Sequence, residues 1–157
     1  MLIVAGKYFI DSRKKPLPTT SPQKEVAYDH TPSELETMVL VNDYRVSMGL
    51  VPLKVDNYIS YKSEEHTRYM ISNNMASHNG FTSRSEDLMS TLGAKNVGEN
   101  VAYNYSTPQA AVKAWLNSPT HKENLDGDYT HFGISIRPNS SGKNYYTNMF
   151  VKVAEVK

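Results

Sequence analysis

From residue 33 onward, apolar and polar positions alternate in two recognisable periods. Leu35, Met38, Val39, Val41, Val46 and Leu50 recur near helical spacing, Ser33 and Glu36 read as a capping box with Pro32 just outside it, and Gly49 supplies a left-handed stop. Pro52 and Asp56 mark a turn into a second helix carrying Tyr58, Ile59, Tyr61, His66, Tyr69, Met70 and Ile71 toward Asn73-Asn74. Ser83 and Glu86 form another capping box, opening a short helix through Leu88, Met89 and Leu92 to Gly93. The period then changes, and Asn96 to Tyr103 reads as a strand. Thr107-Pro108 starts a fourth helix and Ser118-Pro119 a fifth, with His121 in its first turns. Asp126-Gly127-Asp128 is a turn. His131 to Arg137 alternates, Pro138 to Gly142 turns, and Asn144 to Val153 returns as a hairpin. Large groups occupy both faces of the returning strand, which predicts a central strand covered on both sides. The order of elements predicts an α+β sandwich with helices on both sides of an antiparallel sheet.

Residues 1–30 are of different material, and the folded domain is expected over 31–157. Ser12 to Pro22 is polar and proline-punctuated, which favours extended, solvated backbone, either a tether or a disordered tail. Lys7 to Ile10 has the pattern of an edge strand. The whole chain of 157 residues is long enough for one core. Its net charge of +1 provides no basic field for nucleic acid. No apolar run reaches membrane-spanning length, so a membrane connection would run through the N-terminal tether or through sequence outside these residues. With no cysteine, disulfides and thiolate metal sites are excluded.

The residues with chemical potential are His78 in Ser77-His78-Asn79-Gly80, Glu99 in Gly98-Glu99-Asn100-Val101-Ala102, and His121 after Ser118-Pro119. Two neutral imidazoles and a carboxylate suit zinc with water in the open position, which is one route to hydrolysis. The plainer reading is that Glu99 orients His78 or His121 through hydrogen bonds and is tied to the Ser118 region. No H-E-x-x-H and no G-x-S-x-G occurs, and Ser118 reads as an N-cap rather than a nucleophile. Asn100 reads as a loop-holding amide, Trp115 as core, His66 as a packed or surface residue, and His131 as a hairpin-head residue.

Several motifs in one order carry a resemblance. Leu40-Val41-Asn42-Asp43-Tyr44-Arg45, Gly49 to Leu53, Ser77 to Gly80, Gly98 to Ala102, Ala114 to Asn124, Phe132 to Ser135 and Tyr145 to Phe150 resemble the successive signatures of the CAP (SCP-like) superfamily, in its bacterial form, over about residues 33–153. The resemblance implies a three-layer α-β-α sandwich with a large central cleft, on a secreted or surface protein. It implies that His78, Glu99 and His121 match the cleft histidine, glutamate and second histidine, with Asn100 and Ser118 beside them. The second cleft acid, expected shortly after the tryptophan, is missing from Trp115-Leu116-Asn117-Ser118. The function expected is a binding cleft for a small hydrophobic ligand such as a lipid or sterol, a peptide or a partner protein, with zinc as the candidate metal on His78, His121 and Glu99. The alternative is a metal-assisted hydrolase using the same residues.

Overall fold

The computed structural model describes Leu2, residues 6–9 and residues 25–154. The polar stretch Ser12 to Pro22 lies outside the described residues, as does Ile10. The elements are β1 (Gly6–Phe9), α1 (Pro32–Ser47), β2 (Lys54–Val55), α2 (Asn57–Ser72), α3 (Phe81–Leu92), β3 (Ala94–Tyr103), α4 (Pro108–Leu116), α5 (Pro119–Leu125), β4 (His131–Pro138) and β5 (Asn144–Val153). The five strands form one sheet in the order β1-β3-β5-β4-β2. All neighbours are antiparallel except the two-residue β2, which runs parallel to β4 at the edge.

Side-chain alternation divides the sheet into two faces, and each face has its own helices. One face presents Ala102, Phe132, Ile134, Ile136, Tyr146 and Phe150 to Met38 and Val41 of α1, Ala111, Val112 and Trp115 of α4, and Leu125 of α5. The other presents Val97, Met149 and Val151 to Ile59 of α2 and Leu88 and Leu92 of α3, with Val101 against Met70. This is the α-β-α sandwich that the order of elements predicts. Strand β5 is central and buried on both faces, because β3 and β4 flank it and helices cover both sides.

Close approach of α2 depends on Gly133, where an added Cβ would lie 2.3 Å from the Ser60 backbone nitrogen. Any side chain there would push the helix off the sheet.

Two local expectations change, and the edge strand expected near Lys7 to Ile10 is present as β1 over Gly6–Phe9. Helix α1 is capped by Thr31 and Glu34, not by Ser33 and Glu36, with Pro32 at the first helical position. Both pairs have capping-box spacing. The Thr31 frame wins because it buries Glu34, whose carboxylate also receives the Ile136 amide at 2.9 Å and Arg137 Nη1 at 2.7 Å. Consequently Leu35, Val39 and Val46 face outward, while Thr37 and Arg45 join the buried face. Helix α3 begins at Phe81 rather than at Ser83, because Gly80 turns the chain in through a left-handed conformation (φ 78°) with no side-chain cap. The segment 1–30 also contributes to the sheet, through β1.

Candidate functional site

Residues 99 and 100 are adjacent on β3, so their side chains leave the sheet in opposite directions. Each anchors a different cluster.

Glu99 points toward α2 and α3 and is fully buried. Its Oε1 accepts from Arg84 Nη2 at 2.8 Å and lies 2.8 Å from His78 Nδ1, while Oε2 accepts from Arg84 Nε at 2.9 Å. The forked guanidinium matches both carboxylate oxygens at once. Burial pushes the Glu99 carboxyl upward, but the His78 hydrogen bond and the Arg84 charge outweigh it and hold the group below the usual carboxylate range. Arg84 is itself pinned, since its Nη1 donates to the Asn79 carbonyl at 2.6 Å.

His66 enters the same cluster from α2. Its Nε2 lies 2.6 Å from the Ser77 carbonyl and 3.8 Å from Glu99 Oε1. Burial lowers its pKa despite the nearby Glu99 charge, so the ring is neutral at pH 7 and donates to Ser77 from Nε2. Among the described residues, His66 Nδ1 and His78 Nε2 have no hydrogen-bond partner. Above this cluster opens a concavity of about 380 Å³ lined by Lys62, Glu65, His66, Tyr69, Asn79, Gly80, Ser83 and Arg84.

Asn100 points the other way, toward α5. Its Nδ2 donates to the His121 carbonyl at 3.0 Å, and its Oδ1 accepts from Asn124 Nδ2 at the same distance. Asn124 also donates to the Glu99 carbonyl at 3.2 Å and accepts from the Tyr129 hydroxyl at 3.1 Å. Gly98 makes room for this lock, since a Cβ there would lie 2.4 Å from the Tyr129 hydroxyl and 2.6 Å from Asn124 Oδ1. Ser118 occupies the N-cap position of α5 but makes no cap bond. Its hydroxyl is instead 2.7 Å from His121 Nδ1. Trp115, fully buried, donates to the Val101 carbonyl at 3.2 Å.

The fold therefore brings His78 to Glu99, and Asn100 and Ser118 to His121, but it keeps the two groups on opposite faces of β3. Of the three expected cleft residues, His78 is in contact with Glu99, while His121 is reached by Asn100 through its main-chain carbonyl. A zinc ion needs three or four donors around one point. Among the described residues, no group of three or more histidine, aspartate or glutamate side chains is placed to hold a metal ion. Both Glu99 oxygens are engaged by Arg84 and His78.

Arg84 is the site residue that sequence reasoning missed, and His66, read as a packed or surface residue, is packed beside this cluster. The available signal for Arg84 was its position six residues after His78, on the inner face of a helix that has to cross a strand glutamate. His131 stands apart at the start of β4, with Nδ1 2.8 Å from the Thr130 hydroxyl.

This architecture has matches among known proteins. The family model described as the cysteine-rich secretory protein family, CAP, matches residues 38–151. The chain belongs to the CAP family. Two Bacillus subtilis relatives carry similar sequences: the membrane protein YlbC is 36% identical over 128 residues, 78% of this chain and 35% of YlbC. The protein YkwD is 33% identical over 134 residues, 83% of this chain and 50% of YkwD. The chain thus spans half or less of the length of the curated relatives it matches. Among solved structures, an extracellular SCP-domain protein from Bacillus anthracis superposes with a TM-score of 0.67 at 26% identity, covering 80% of this CAP chain and 45% of that one. An outer surface protein of Borrelia burgdorferi shares the fold with a TM-score of 0.70 at 21% identity, covering 76% and 92% of the respective chains. A cysteine-rich secretory protein from Staphylococcus aureus does so at 0.65 and 18%, covering 85% and 44%. The CAP domain here contains no cysteine, so its sheet and helices are held without the disulfides the family name suggests.

Proposed function

We propose that this chain is an exported, extracellular or surface-held CAP domain that works by binding. Its ligand docks in the concavity above His66, Arg84 and Glu99. The observation that carries the reading is the engagement of Glu99: both its oxygens are taken by Arg84 and His78, and its proton affinity is lowered. A carboxylate in that state is a poor general acid and has no oxygen left for a metal. It is well suited to holding Arg84 and His78 rigid at the floor of a recognition site.

The chemistry of the rim supports a polar occupant. Lys62, Glu65, Asn79 and Ser83 offer charges and hydrogen-bonding groups, and Tyr69 offers a half-exposed ring. A peptide or a loop of a partner protein matches these groups better than a sterol or an acyl chain does. An extracellular location is supported by the similarity to the Bacillus anthracis protein, which is extracellular. None of the described helices is long and apolar enough to cross a membrane, so surface retention would use the N-terminal tether or other sequence.

The test compares two libraries on one protein. A fluorescent peptide array and a panel of fluorescent sterols are titrated against the wild-type chain, Tyr69→Ala and His121→Asn. The expected result is peptide binding that Tyr69→Ala weakens at least tenfold and His121→Asn leaves unchanged. Cleavage of a peptide substrate by wild type but not by His78→Ala would overturn the reading in favour of a hydrolase. Binding of sterols alone would overturn its choice of ligand.

A further inference from the structure

The CAP match starts at residue 38, yet the sheet starts earlier, with β1. Without β1, the outer edge of β3 would be a bare row of backbone donors and acceptors beside Glu99, a template for any extended chain. Strand β1 covers that row in antiparallel register, with Gly6 opposite Glu99, Lys7 opposite Gly98, Tyr8 opposite Val97 and Phe9 opposite Asn96. A further bridge joins Leu2 to Ala102, and Leu2 packs against the core of the α1 and α4 face.

The packed chain resumes well before α1, with Val26 against the α2 and α3 core, the Tyr28 hydroxyl on Glu34 and His30 beside Ser60, and the sequence between Phe9 and Glu25 includes the polar, proline-punctuated run Ser12 to Pro22. The elements that touch β1 most are β3 and α3. Its fit is also selective. A Cβ on Gly6 would lie 3.1 and 3.2 Å from two Phe81 ring carbons and 3.5 Å from His78 Nδ1. The Gly6 carbonyl is read from the opposite side by Asn124 Nδ2 at 3.3 Å. A Cβ on Gly6 would make the Phe81 ring give by a few tenths of an ångström, a larger side chain would ask for more, and the Gly6 carbonyl is held by an amide from the α5 cluster.

We propose that the outer edge of β3 is a strand-addition site for an extended peptide with glycine opposite Glu99, and that the chain's own N-terminal segment fills it as a displaceable occupant. This mode of recognition takes its affinity from main-chain hydrogen bonds and its selectivity from side-chain fit. It is independent of the ligand in the concavity above Arg84. Because β1 belongs to the same chain, its pairing is intramolecular, so a free strand competes poorly until β1 is disabled.

The experiment uses the full chain and a fluorescein-labelled peptide of residues 1–10 with a C-terminal lysine tag. Gly6→Val in the chain is expected to disable β1 in place, and this variant should bind the peptide at least tenfold more tightly than wild type. A peptide carrying Gly6→Val should not bind it. Because the chain has no cysteine, Phe9→Cys combined with Asn96→Cys creates one possible disulfide across the register. When oxidised, that chain should refuse the peptide. Equal binding to all three chains, equal binding of both peptides, or no binding to any chain would overturn the proposal. Failure of the disulfide to form would overturn the register on which it rests. A readout that does not depend on the Gly6→Val chain folding is amide exchange in the wild type. The β3 amides facing β1 should exchange at least tenfold faster than those facing β5, and the oxidised staple should remove the difference; equal rates in the wild type would overturn the displaceable strand.

Discussion

Glu99 and Asn100 are neighbours in sequence, equally buried, and opposite in consequence. On the Asn100 side, hydrogen bonds close on themselves: Asn100, Asn124, Tyr129 and the His121 carbonyl satisfy one another, and Gly98 is small so that they can. On the Glu99 side, an ion pair is buried beneath an open concavity. A closed network fixes a fold. A buried ion pair with two imidazoles beside it, next to a concavity, is where recognition is expected. One strand thus uses consecutive residues for different work, and the alternation of β structure keeps the two apart.

The largest way to break the contrast is Glu99→Ala. It leaves Arg84 buried without its counter-charge, and the cost expected is about 3–5 kcal/mol, as for other broken buried pairs. Chemical denaturation measures it; a loss below about 1 kcal/mol would mean that Arg84 escapes to solvent. On the closed side, Asn124→Ala leaves the Asn100 carbonyl oxygen and the Tyr129 hydroxyl unmatched, at about 1–3 kcal/mol for each group. Gly98→Ala drives a methyl group into the same lock and should cost about 1–3 kcal/mol by overpacking. The two substitutions act on one network, so their double mutant should fall short of the sum.

The pH dependence separates the two sides further. Burial lowers the pKa of His66, so the folded state resists a proton that the unfolded chain takes up at its ordinary value of 6.5. The stability from neutral His66 is complete above pH 6.5 and is lost as pH falls toward the folded-state value. Burial lowers His30 and His131 in the same direction, and both add to the decline. Glu99, held below its ordinary 4.5, adds a further loss below that pH. Melting curves should therefore be level from pH 7 to 8 and fall below 6.5. His66→Gln should reduce the slope by no more than one proton's share, about 1.4 kcal/mol per pH unit. The smallest effect is at the first helix, where Thr31→Ala should cost about 1 kcal/mol and Ser33→Ala close to nothing.

Much of this fold can be read from periodicity. Val97, Val101 and Met149 alternate with Ala102 and Phe150 as a covered sheet requires, and Asp56, Thr107-Pro108 and Ser118-Pro119 mark helix starts where they occur. Gly133 and Gly98 were silent, because the need for each arises from residues 73 and 31 positions away that come within 2.4 Å of where a Cβ would be (Ser60 to Gly133 is 73, Gly98 to Tyr129 is 31). The capping frame was ambiguous, since Thr31 and Ser33 share the same spacing and only the burial of Glu34 against Arg137 decides between them. At the site, His78 and Glu99 were legible as a pair. Their separation from His121 was not legible, because only the fold shows that Asn100 reaches α5 and Glu99, one residue earlier, faces away from it. Arg84 was hidden because nothing local distinguishes a helical arginine that meets a buried glutamate from one that meets water.

The most direct test of this division is a calorimetric zinc titration of the wild type, His78→Ala and His121→Ala in metal-stripped buffer near pH 7.5. Two clusters on opposite faces of β3 predict no stoichiometric site that depends on both histidines. A single-site isotherm abolished by each substitution alone, in chains that keep their fold, would put His78 and His121 on one ion and contradict the separation.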